Sequence, residues 1–121
     1  MSSGSFTDEQ VHLWLAEVAS SAWIGMHYDS PTMGALNNNE VSGGGYTRCL
    51  VTFSEPANRT IWLTQDATFQ GLTQTQLTHF SVWNQVTGGL MRVSGRIPRT
   101  ATILTGRGYR IMAGEMAISF G

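Results

Sequence analysis

Lysine is absent from this chain of 121 residues, and all seven of its basic residues are arginine. Charged residues make up only 12% of the chain, about half the usual supply of ~25%. The formal net charge is −1, and 41% of the residues are hydrophobic. Disorder is excluded, because disordered chains combine high charge with few large apolar residues. No run approaches the ~20 consecutive apolar residues of a membrane span, so no membrane insertion is expected. Cys49 is the single cysteine, which excludes an intrachain disulfide and any multi-cysteine zinc site. The first residues lack the positive and apolar regions of a secretory signal, so the Asn58-Arg59-Thr60 sequon is expected to carry no glycan.

A chain that diffuses alone usually covers itself with Lys and Glu; this one uses Thr, Ser, Asn, Gln and Gly. Two explanations are open. Much of the surface is buried against neighbouring subunits, where Lys, Glu and Asp are depleted, or the source genome is compositionally biased. The charges are also segregated. Residues 1–66 hold seven of the eight acids and two arginines, a balance of −5, and residues 67–121 a balance of +4. The second-half arginines are spread over strands and turns rather than clustered, so no nucleic-acid partner is expected. Pairing within or between subunits is, with Asp29, Arg92, Arg96 and Arg99 as candidate inter-subunit charges.

The length fits one domain over residues 1–121. One helix is expected at about 8–19. Thr7 and Gln10 have capping-box spacing and Phe6 and Val11 form a hydrophobic staple. Val11, Trp14, Leu15 and Val18 then make one apolar stripe. From about 22 to 120 the pattern is short strands with glycine punctuation: Ala22–Tyr28, Tyr46–Phe53, Thr60–Leu63, Ala67–Phe69, Leu77–Trp83, Leu90–Ile97, Thr100–Leu104, Tyr109–Met112 and Met116–Phe120. Thr87-Gly88-Gly89 supplies a hairpin turn able to take positive φ. Such spacing predicts a mainly β fold, an antiparallel β-sandwich of jelly-roll type with one N-terminal amphipathic helix.

Catalytic chemistry finds little support. None of His12, His27 and His79 has metal-ligand spacing, so no metal, cofactor or catalytic residue is expected. His27 and Asp29 share a strand face without a nucleophile beside them. Cys49 and His79 would meet only if the fold joined their strands. Gly43-Gly44-Gly45 lacks the lysine and following helix of a phosphate loop. Among the aromatics, Trp62 and Trp83 are the two whose exposure would mark a sugar platform.

Two stretches carry a resemblance. Glu40-Val41-Ser42-Gly43-Gly44-Gly45-Tyr46-Thr47-Arg48 resembles the E-V-S-G-G-x-Y-x-R signature of small phage virion proteins labelled tail fibre or minor tail proteins. Leu77-Thr78-His79-Phe80-Ser81-Val82-Trp83-Asn84-Gln85-Val86-Thr87-Gly88-Gly89 is similar to that family's V-T-H-F-G-I-W-D-x-x-T-G-G block. Met26–Pro31 and the 112–119 ending also resemble it. Ser81 stands where the family usually has glycine, and Asn84 where it usually has aspartate. The resemblance implies a virion structural protein, assembled in the host cytoplasm and without catalysis, and leaves head or tail open.

Arg48, with five donors in a planar fork, suits a loop carbonyl or a carboxylate such as Glu40 or Asp29. Glu40, Tyr46, Arg48, His79 and Trp83 are therefore the candidate structural network or subunit contacts. The expected role is a homo-oligomeric capsid decoration protein, a trimer, meeting itself and major capsid or tail proteins. The alternative is a tail-fibre or minor tail subunit that touches host-surface glycans. A sugar-binding module is the third reading.

Overall fold

Thr7 starts the helix as the spacing predicts. Its hydroxyl accepts the Gln10 amide at 3.1 Å, and the Gln10 side chain accepts the Thr7 amide at 3.0 Å. In the computed structural model, which describes residues 7–31 and 39–119, this helix, α1, runs Asp8–Ser20. Val11, Leu15 and Val18 are buried and Trp14 packs against them. Phe6, the outer half of the expected staple, lies outside the described residues.

Eight strands follow among the described residues: β1 (Ala22–His27), β2 (Cys49–Val51), β3 (Thr60–Trp62), β4 (Ala67–Phe69), β5 (Thr75–Trp83), β6 (Met91–Ile103), β7 (Tyr109–Ile111) and β8 (Ala117–Ser119). An antiparallel four-stranded sheet has the order β2-β1-β5-β6, and β3–β8 and β4–β7 form two antiparallel pairs. Ile24, Met26 and Val82 from the sheet meet Ile61, Phe69, Ile111 and Ile118 from the pairs, with the helix stripe, in one apolar cluster. Each such side chain contributes about 1.5–3 kcal/mol on full burial. The fold is thus mainly β and sandwich-like, with antiparallel sheets and one helix near the N-terminus.

Two changes go beyond a residue or two at a strand end. Tyr46–Phe53 shrinks to β2, because Tyr46 donates its amide to Gly43 in a turn and Arg48 turns inward; Phe53 keeps only an isolated bridge to Leu63. Leu90–Ile97 and Thr100–Leu104 merge into the long β6. Pro98, which lacks an amide N–H, sits where the pairing slips between Leu77↔Ala101 and His79↔Arg96, so that residues 97–100 face Thr78 alone. A break in the pattern is here a bulge within one strand.

β1 is the central fact for the site. Ala22, Ile24 and Met26 face the apolar core, yet Gly25 and His27 on the opposite face are buried too. Residues 39–48 and the β5–β6 turn supply polar partners on that second face.

Candidate functional site

The register of the sheet builds the site. His27 lies beside Glu40 and His79, Gly25 opposite Ser81, and Trp23 opposite Trp83. All belong to one face, because directly opposed residues in an antiparallel ladder point the same way.

Arg48 is the hub. Its Nε and Nη2 donate to the two oxygens of Glu40, both at 2.9 Å, while Nη1 donates to the carbonyls of Gln85 at 3.1 Å and Gly88 at 2.8 Å. Its guanidinium carbon also lies 3.7 Å from the centroid of the Trp83 ring, within cation–π range. The side chains are 7% exposed for Arg48 and 17% for Glu40. One cation therefore ties the first motif block to the turn of the second. A lysine could not do this, since it has no planar fork to serve a carboxylate and two carbonyls together.

Tyr46 and Ser81 extend the network. The Tyr46 hydroxyl donates to Glu40 at 2.6 Å and accepts the Met26 amide at 3.1 Å. The Trp83 indole N–H donates to Ser81 Oγ, which also bonds His27 Nε2 at 2.6 Å. Gly25 makes room for these groups: a Cβ there would sit 2.8 Å from Ser81 Oγ and 2.9 Å from Glu40 Oε2. The glycine turn before Tyr46 is also sterically required. Gly44 has φ +57, and its Cβ would lie 2.4 Å from the Gly71 carbonyl oxygen.

Burial pushes the Glu40 carboxyl up, but hydrogen bonds from Arg48 and Tyr46 and the charges of Arg48 and His27 outweigh it and hold it below its ordinary value of 4.5. Burial first, then the neighbouring Glu40 carboxylate, push the Tyr46 phenol well above its usual range. Glu40 binds its proton less readily when folded, so its contribution is complete above about pH 4.5 and is lost as pH falls through the lower folded value. Acid titration of the unfolding midpoint is expected to show this fall in the native chain and a shallower one in Glu40→Gln.

Four of the five expected network residues, Glu40, Tyr46, Arg48 and Trp83, come together. His79 shares their face and lies next to His27, but its Nδ1 bonds Thr78 Oγ1 at 2.8 Å. Arg48 takes Glu40 and two carbonyls rather than Asp29, whose Oδ1 accepts the Ser30 amide. Gly25, His27 and Ser81 were not expected in this role; pairing Ala22–Tyr28 with Leu77–Trp83 in register would have placed Gly25 against Ser81. Asn84 uses its side-chain oxygen to accept the Leu90 amide at 2.8 Å, a task that aspartate does equally. Asn84→Asp is therefore expected to be near neutral, and Asn84→Ala to cost about 1 kcal/mol in urea unfolding.

The expected inter-subunit charges fare unevenly. Arg92 donates to the Glu17 carbonyl. Arg99 makes a two-pronged pair with Glu115 at 3.0 and 3.1 Å. Both are thus engaged within the chain. Arg96 is exposed and has no salt-bridge partner among the described residues. Cys49 lies opposite Ile24 on the other face of β1 from His27 and His79, so the thiol–imidazole pair does not form. No group of three or more His, Cys, Asp or Glu suited to a metal occurs among the described residues. Among them no helix is long and apolar enough to cross a membrane.

The family described as podophage GP4 fiber I protein gp80 matches residues 16–119. The chain belongs to that family. It is a phage virion structural protein, and the match takes in every residue of the Arg48 network. No curated protein matches the chain.

Proposed function

We propose that this member of the gp80 family is a non-enzymatic subunit of a tail fibre that contributes to attachment at the host surface. The observation that carries the reading is the fibre-family match over residues 16–119. It supports the fibre alternative over the capsid decoration role expected from the sequence. Nothing in the Arg48 network favours the shell, because the network is internal: it holds residues 40–48 against the 85–88 turn of the same chain.

The network's task in this reading is rigidity. A fibre subunit carries load without unfolding, and a buried arginine that crosslinks two loops resists their separation. Self-association is part of the proposal, with Arg96, exposed and without a salt-bridge partner among the described residues, as a candidate contact for a neighbouring copy. Quantitative mass spectrometry of purified particles tests the role. A copy number that is a small multiple of the number of fibres supports it; a copy number matching the shell subunits overturns it.

A further inference from the structure

Away from the Arg48 network, β3 and its neighbours expose a second kind of surface. Trp62 is 52% exposed, an unusual position for the largest apolar side chain unless it meets something. The register defines its surroundings. Trp62 lies opposite Ala117 of β8, and Thr60 opposite Ser119. On the other side the Phe53↔Leu63 bridge turns inward, which places Ser54 beside Trp62 and Thr52 beside Thr64 on the outer face.

The outer face is therefore one indole ring amid hydroxyl groups, with no charged side chain at any of these positions. The hydroxyls are already organised. Thr52 and Thr64 bond at 2.7 Å, Thr60 and Ser119 at 3.0 Å, and Ser54 Oγ accepts the Trp62 amide at 2.9 Å. Each hydroxyl has one donor and two acceptor lone pairs, so every one keeps capacity for a further partner. Ala117, directly opposite, adds only a methyl group to this face.

We infer that this outer β3–β8 face is a binding site for a neutral sugar, with Trp62 as the stacking platform. The inference rests on the fibre reading, since a fibre surface is where a host glycan would be met. A pyranose ring has an apolar face of C–H groups and an equatorial rim of hydroxyls. The first matches an exposed indole, and the second matches a ring of Thr and Ser. The absence of charge on the face argues against an acidic sugar, whose carboxylate would have no cation among these residues. A protein partner fits less well, because the surface presents a single large apolar side chain rather than the contiguous apolar centre of a stable interface.

The test is retention of the full chain on immobilised neutral glycans (dextran, amylose, mannan and oligomers of N-acetylglucosamine), with polygalacturonate as the acidic control. At least one neutral matrix is expected to retain the chain and quench its tryptophan fluorescence. Trp62→Ala is expected to weaken that binding by about ten-fold or more, with Trp62→Phe intermediate and the unfolding midpoint of both close to the parent. Retention on polygalacturonate alone, retention unaffected by Trp62→Ala, or no retention on any neutral matrix would overturn the site. If the chain is located on fibres yet fails on every sugar, this inference alone falls. If it is absent from fibres, the reading beneath it falls whatever the columns show.

Discussion

Arg48→Ala is expected to lower stability by about 3–5 kcal/mol, the range for breaking a buried ion pair from one side. Three losses coincide. The Glu40 carboxylate keeps only the Tyr46 hydroxyl of its side-chain partners, the Gln85 and Gly88 carbonyls lose their donor, and Trp83 loses the cation over its ring. A chain of this size has a total stability of only about 5–15 kcal/mol, so the variant is expected to be near its unfolding threshold at room temperature. Arg48→Lys keeps the charge but has no fork to span carboxylate and carbonyls, and is expected to recover less than half of the loss. The diagnostic variant is the double replacement Glu40→Gln with Arg48→Met. It leaves no buried charge unpaired and is expected to be more stable than Arg48→Ala alone. Urea midpoints decide the matter: an Arg48→Ala shift within about 0.5 kcal/mol, as for an ordinary surface change, would show that the network is not holding the loops.

Gly25→Ala is expected to have the next largest effect, about 1–3 kcal/mol from overpacking. The added methyl would stand 2.8 Å from Ser81 Oγ, 2.9 Å from Glu40 Oε2 and 3.1 Å from Trp83 Nε1. None of the three can move alone, because each is bonded to another member of the network. Combining Gly25→Ala with Ser81→Gly removes the nearest of these contacts but leaves the other two, so partial recovery is expected relative to Gly25→Ala. Ser81→Gly by itself deletes the hydroxyl that bridges Trp83 and His27, which separates the cost of the lost bridge from the relief of crowding. Thermal unfolding of the three variants is the measurement. Full recovery in the double variant would mean that Glu40 and Trp83 tolerate the methyl.

Much of the fold was legible because local signals and tertiary needs agree. The Thr7–Gln10 capping box fixes the helix start, and the alternation from Leu77 to Trp83 fits β5, whose residues 80–83 are buried on both faces, Phe80 and Val82 in the apolar core and Ser81 and Trp83 in the polar network. The failures share a cause. Leu90–Ile97 and Thr100–Leu104 are separate in the pattern, yet the residues between them, Pro98 included, form a bulge that the neighbouring strand absorbs. The network was legible in part because Arg48 and Glu40 are separated by a glycine turn that can fold one back on the other. His79 was misplaced because sharing a strand face with Trp83 does not ensure sharing a partner. Gly25 and Ser81 were missed because their importance lies in being small opposite each other, and smallness has no pattern until strands are paired. The scarcity of charge is sharpened as well. Glu40, Arg48, Arg92, Arg99 and Glu115 are engaged within the chain, so the surface has even fewer unengaged charges than the composition suggests. Within the fibre proposal, burial against neighbouring copies is the proposed reason for that scarcity.

The proposed place of this chain is the fibre. Immunogold electron microscopy of intact particles, with antibodies against the folded chain, tests it most directly. Label along or at the base of the fibres, with a bare head, is the predicted result. Label distributed over the head lattice, with unlabelled fibres, would contradict it.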